Sequence, residues 1–168
     1  MRRSLGVALL LLSTNGYAAT FTGMAIRVAD GDSVTVEDSA TKAHIRVRLA
    51  GIDAPEKGQA FNDASRKSLG FLLVGYSVTV EWNKRDRYKR IVGRVLLDGK
   101  DAALHQLYSG MAWHHAQKEW EQSAAEQSAY AEAEEVARTK RVGLWQDPSP
   151  VAPWKHVPKP APRKEQRR

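Results

Sequence analysis

Between residues 21 and 50, apolar side chains fall on every second position. Met24, Ile26 and Val28 lead into Asp30-Gly31-Asp32. Val34 and Val36 follow, then a polar break over 38–43, then Ile45, Val47 and Leu49. A period of two puts alternate side chains on opposite faces of a strand, so this stretch predicts three strands. The period changes over 59–74, where Phe61, Ala64, Leu69, Leu72 and Leu73 fall on one helical face. Residues 78–82 and 91–97 return to the β pattern, joined by the basic stretch 83–90, and Asp98-Gly99 is a turn. Asp101 can cap a short helix that Gly110 ends. Residues 117–138, rich in Ala, Glu and Gln, predict the longest helix. Five strands interrupted and followed by about three α-helices predict an α+β domain built on a five-stranded OB-fold β-barrel. No internal repeat is visible.

The chain has 168 residues, enough for one domain with a buried core, and no cysteine. Disulfides, thiolate metal sites and cysteine nucleophiles are thereby excluded. The net charge of +7 sits at the ends. Arg2 and Arg3 open the chain, and residues 155–168 hold six basic residues against Glu165, which leaves 18 bases and 18 acids in 20–154. Overall charge therefore says nothing about the body.

A basic start, an apolar run over 5–12 and a small-residue exit at Gly16, Ala18 and Ala19 predict a cleaved signal peptide over 1–19. The cut falls after Ala18, with Ala19 the near alternative, and the mature protein is expected in the periplasm or outside the cell. The run is too short to span a bilayer, and no second apolar run could cross one. Six of the seven prolines lie from Pro148 onward. Proline at this density blocks helix and ladder pairing, so 155–168 is expected to be a disordered basic tail after a domain over 20–154.

Three segments carry candidate chemistry. Asp30-Gly31-Asp32-Ser33 is a hairpin turn by its dipeptide chemistry. It is not an EF-hand, because Thr35 and Thr41 stand where Gly and Glu would be needed. The segment from Arg48 to Glu56 ends a strand with Arg48, Asp53 and Glu56 clustered around Pro55. Carboxylates without thiol or paired histidine suit a hard cation such as calcium, and an arginine beside them suits a phosphate. The loop Lys84-Arg85-Asp86-Arg87-Tyr88-Lys89-Arg90 carries five bases and an aromatic ring, which suits phosphate contact and base or sugar packing. Its bland counterpart is a solvated charge run. Ser39 and Lys42 match a Ser-x-x-Lys spacing in a polar loop without the companion motifs. The adjacent His114 and His115 lack the spacing of a catalytic zinc site.

Taken in order, four blocks resemble the thermonuclease (staphylococcal nuclease) family. They are Val-Ala-Asp-Gly-Asp-Ser, Arg-Leu-x-Gly-Ile-Asp-Ala-Pro-Glu, Asp-Arg-Tyr-x-Arg, and Gly-Leu-Trp with Pro-x-x-Pro-Trp, from about Met24 to Trp154. The resemblance implies an OB-fold endonuclease that uses calcium to hydrolyse DNA and RNA to products with 3′-phosphates. It implies that Asp32, Asp53 and the carbonyl of Ala54 hold the calcium, with Asp30 a supporting acid. Arg48 and Arg90 would bind phosphate and Glu56 would activate or position the attacking water. Tyr88, flanked by Lys84 and Arg87, would contact the nucleic acid. Single-stranded DNA and RNA are the expected substrates and a monomer the expected state. Ser33 departs from the family's threonine, Lys89 from its glycine and His115 from a common tyrosine. The alternative is a non-catalytic OB-fold module that binds single-stranded nucleic acid. Such a module would be expected to lose Asp32, Arg48, Asp53, Glu56 and Arg90, and all five are present.

Overall fold

The computed structural model describes residues 19–116 and 121–157. The expected signal segment up to residue 18, and the tail from 158, lie outside them. Five long strands are found among the described residues: β1 (Ala19–Asp30), β2 (Ser33–Asp38), β3 (His44–Leu49), β5 (Ser77–Arg85) and β6 (Ile91–Leu97). Antiparallel pairs run β3-β2-β1-β5-β6, and a parallel pairing of β3 with β6 closes the ring. The barrel is the expected one. Its inward positions are the β-branched and leucine side chains of the alternating pattern. Val34, Val36, Val47, Leu49, Val78, Val80, Ile91 and Val95 are all buried.

Two short pairings hang from this barrel. β4 (Ile52–Asp53) pairs with β8 (Trp113–His114), setting Ile52 against His114 and Asp53 against Trp113. β7 (Lys100–Asp101) pairs with the end of β6.

Helix α1 (Asn62–Leu73) lies along β1 and buries Ser65, Leu69 and Leu73. The sequence face is off by one position here, because Ala64 is exposed and Ser65 is buried. Ser65 wins the inner place through hydrogen bonds: its Oγ donates to the Met111 carbonyl at 2.5 Å, and its own carbonyl accepts from Gln106. Helix α2 (Ala102–Tyr108) starts as expected, with Asp101 accepting from the Ala103 amide at 2.8 Å.

Helix α3 (Ala124–Thr139) corrects the predicted 117–138. Ser123 and Glu126 form a reciprocal capping box, which satisfies the first amides and starts the helix at Ala124. Residues 121–123 lie outside the helix, and this leaves Glu121 able to turn inward. The N-terminal end of α3 is tied to the barrel by Arg94. That guanidinium meets Glu81, Asp101 and Glu126 at 3.0–3.1 Å, while Tyr130 Oη donates to Asp101. A second small core joins Ala137, Leu144 and Trp145 to Phe61, Trp113 and Val142.

Candidate active site

The turn from β1 to β2 presents Asp30 and Asp32. Gly31 between them is required by close packing, since a Cβ there would lie 1.7 Å from Ser65 Oγ. Its carbonyl is held by Gln106 Nε2 at 2.8 Å. The Asp32 amide donates to Asp30 Oδ1 at 3.2 Å, and Ser33 Oγ donates to Asp32 Oδ1 at 2.8 Å. The Ser33 hydroxyl thus orients the Asp32 carboxylate. The other oxygen, Asp32 Oδ2, accepts from the Ala54 amide at 3.1 Å. That bond joins the first motif to the second, which lies far along the chain.

In the second motif Arg48 is buried, at 6% exposure. Its Nη2 donates to the Ile52 carbonyl at 2.9 Å and to Asp53 Oδ1, and its Nη1 donates to Glu121 Oε2 at 3.2 Å. The same Glu121 oxygen accepts from the Gly51 amide at 3.1 Å, and Lys84 Nζ reaches Glu121 Oε1 at 3.3 Å. The acids Asp32, Asp53 and Glu121 raise the guanidinium pKa above its usual value, although burial opposes them. Glu121 lies outside the three segments that carry the motif chemistry. The signal was present: Ser-x-x-Glu at 123–126 marks a helix start, so the acid before it belongs to a loop.

Arg90 joins the cluster from the start of β6. Its Nε donates to Asp86 Oδ2 at 2.7 Å and its Nη1 donates to Ser33 Oγ at 3.4 Å. The Asp86 carboxylate also accepts from the Tyr88 and Arg90 amides, which fixes the loop. Burial works against ionisation of Asp86, but the bonds from Arg90 win and hold its pKa below the usual carboxylate range. Tyr88 is 55% exposed, with Arg87 4.8 Å and Arg90 5.6 Å from its ring centre. Lys84 faces inward to Glu121 while Arg87 stays outside, so the loop divides its charges between the site and solvent. Lys89 has φ +61°, the left-handed conformation that glycine would adopt without strain.

Glu56 is exposed, and its carboxylate takes no hydrogen bond or ion pair among the described residues. Its backbone is held: the Glu56 amide donates to Gln59 Oε1 at 2.9 Å, and Gln59 Nε2 donates to the Val151 carbonyl. A C-terminal strap from Asp147 to Val157 therefore touches the loop that carries Glu56. The same strap places Trp154 4.5 Å from the ring of His115. His115 is 7% exposed, its Nε2 lies 3.4 Å from Asp53 Oδ2, and its amide donates to the Gly51 carbonyl at 2.9 Å. The histidine is thus packed between a carboxylate and an indole. Trp154 ends the Pro-x-x-Pro-Trp block, but its contact with His115 and the role of Gln59 had no signal in the local sequence.

The structure therefore gathers Asp32, Asp53, Ala54, Arg48 and Arg90 at one end of the barrel, with Glu56 at the rim and Tyr88 in the flanking loop. A family model described as Staphylococcal nuclease homologue matches residues 46–147. The chain belongs to that family. The match includes Arg48, Asp53, Ala54, Glu56, Tyr88 and Arg90 but not the Asp30–Ser33 turn. The turn is covered by a longer similarity to a protein described as an uncharacterized endonuclease in Escherichia coli. That protein is 35% identical over 155 residues, which is 92% of this chain and 96% of the relative. A Shigella flexneri protein named micrococcal nuclease is 35% identical over 162 residues, 91% of this chain and 90% of its own. An uncharacterized endonuclease of Haemophilus influenzae is 36% identical over 128 residues, 76% of this chain and 68% of its own.

The family is known for calcium, and the donors here fit a hard cation. Among the described residues no three His, Asp or Glu side chains form a ready metal cage. A cation would instead take two carboxylates, a carbonyl and water. The Asp32 carboxyl is pushed up to about 7, first by burial and then by the charge of Asp30, with Arg48 only partly offsetting them. A carboxylate so poorly compensated by protein cations is suited to a bound cation.

Proposed function

We propose that this protein is a calcium-dependent endonuclease that hydrolyses single-stranded DNA and RNA and leaves 3′-phosphates. One observation carries the reading: two carboxylates and two arginines converge beside a carboxylate, Glu56, that has no partner among the described residues. Asp32, Asp53 and the Ala54 carbonyl would hold the cation. When bound, calcium supplies Lewis-acid neutralisation of the phosphoryl oxygens. Flexible oxygen ligands from a turn and a strand end favour calcium over magnesium, which demands stricter octahedral geometry.

The chain's own residues do the rest. Arg90, braced by Asp86, and Arg48 place positive charge where the phosphoryl oxygens gain negative charge. Glu56 accepts a proton from water as the water oxygen bonds to phosphorus. The bond from phosphorus to the 5′ oxygen breaks, and that oxygen takes a proton from solvent water, giving a 3′-phosphate and a 5′-hydroxyl. Tyr88 and Arg87 contact the nucleotide beside the scissile bond.

Digestion of single-stranded DNA by the mature chain, with calcium and then with chelator, tests the activity. Glu56→Gln should fold and bind calcium normally yet lower single-turnover cleavage by roughly 10² to 10⁴, the usual range for acid–base catalysis. Full activity in that variant would remove Glu56 from the role. The protein is also assigned to the periplasm or medium. The first described residue, Ala19, pairs with Trp82 in β1, so a cut after Ala18 keeps every described residue of that strand.

A further inference from the structure

Helix α1 and the turn that follows it carry exposed apolar and basic side chains that the catalytic reading does not use. Phe71 is 85% exposed, Tyr76 55% and Val74 43%. With Arg27 of β1 and Arg66 and Lys67 of α1 they line an open groove of about 600 Å³. Exposed apolar side chains scattered singly are ordinary, but clustered ones mark a contact surface. Arg27 and Lys67 have no acidic partner among the described residues, and Arg66 has only the exposed Asp63 at 3.5 Å.

We infer that this groove is a second contact surface for single-stranded nucleic acid, holding substrate beyond the scissile bond. The inference rests on the nuclease reading for its ligand. Charge complementarity selects a polyanion over an apolar partner, and two exposed rings beside cations are the elements of a sequence-tolerant stacking surface. The helix that lines the groove also packs against the site. Ser65, next to Arg66, packs against Gly31, the neighbour of Asp32. The Asn62 side chain at the start of α1 donates to the Pro55 carbonyl at 2.7 Å, beside Glu56. Phe71 lies about 9 Å further along the helix than Ser65. A strand leaving the site along α1 thus meets Arg66, then Lys67 and Phe71. The combined track lies within the roughly 4–16 nucleotides that an OB fold engages.

The test uses the full mature chain with chelator, so that nothing is cut. Fluorescence anisotropy measures binding of oligothymidylates of about 4 and about 15 nucleotides, spanning the range engaged per OB fold. Phe71→Ala should weaken the longer one about tenfold, as loss of one stacked base would, and leave the shorter one unchanged. Phe71→Trp should restore it. Arg27→Gln and Lys67→Gln should each flatten the salt dependence on the longer strand by about 0.7 in log–log slope. Equal affinity of Phe71→Ala and parent for the longer strand overturns the inference. So does self-association of the parent that Phe71→Ala abolishes, because the groove would then seat a second copy. Cleavage by the parent with calcium is read separately. If the parent cuts and Phe71→Ala binds normally, the groove assignment fails alone. If the parent never cuts but Phe71→Ala weakens the longer strand, the surface stands and the catalytic reading fails.

Discussion

Asp32 shows how one side chain couples the fold to the cation. Its carboxyl is pushed up from 3.8 to about 7 by burial and by Asp30. An acid whose pKa is higher folded than unfolded contributes stability below the unfolded value, and that stability is lost as pH rises through the folded one. The cation-free protein should therefore lose stability between about pH 4 and 7, whereas Asp32→Asn should lose less. Calcium binding needs the ionised ligand, so its stabilising increment should grow over the same range. Urea midpoints against pH, with and without calcium, check both; parallel curves for parent and Asp32→Asn would show that Asp32 ionises freely. Lys89 poses a simpler case. A side chain at φ +61° is strained, and Lys89→Gly should raise stability by about 0.5–1 kcal/mol. Its turnover should stay within tenfold, because the Lys89 side chain is exposed and Arg90 is fixed by Asp86. A lowered urea midpoint for Lys89→Gly would contradict the strain argument. The residues of the motifs were legible from chain order and chemistry. Glu121 and the contacts of Gln59 with Val151 and of Trp154 with His115 were less so, because those partners are distant in sequence.

Among the elements, the strands were the most legible, since the barrel's inward face repeats every second residue. The helices were less so. On α1 a hydrogen-bonded serine displaced an alanine from the inner face. On α3 composition alone extended the helix past its capping box. The C-terminal strap was the least legible element. Its Pro-x-x-Pro-Trp block was expected inside the domain, but the proline pattern did not show that Val151 and Trp154 clasp the loop of Glu56 and the ring of His115. This packing predicts a positioning effect. Trp154→Ala should cost about 1 kcal/mol of stability, the scale of a lost aromatic contact, and raise the calcium needed for half-maximal activity severalfold. Trp154→Phe should recover both. A calcium requirement unchanged in Trp154→Ala would reduce the strap to simple packing.

For the whole molecule, the balanced body and basic ends separate folding from addressing. The apolar run over 5–12 precedes the described barrel and is the core of the proposed export signal. N-terminal sequencing of protein recovered outside the cytoplasm should read Ala19-Thr20, and an intact Met1 there would refute the cleavage. Among the described residues no helix is long and apolar enough to cross a membrane.

The parallel pairing of β3 with β6 has a kinetic consequence. It sets Arg48 beside Val92 and places Arg90 at the mouth of the closed ring. These partners are distant along the chain, and contacts of that kind form slowly because a long loop must close first. A chain still being synthesised or threaded in extended form holds Asp32, Arg48, Asp53 and Glu56 with no Arg90 beside them. The phosphate site is then unassembled, whatever ions surround it. Topology alone delays the site's assembly until residue 97 has emerged and the ring has shut.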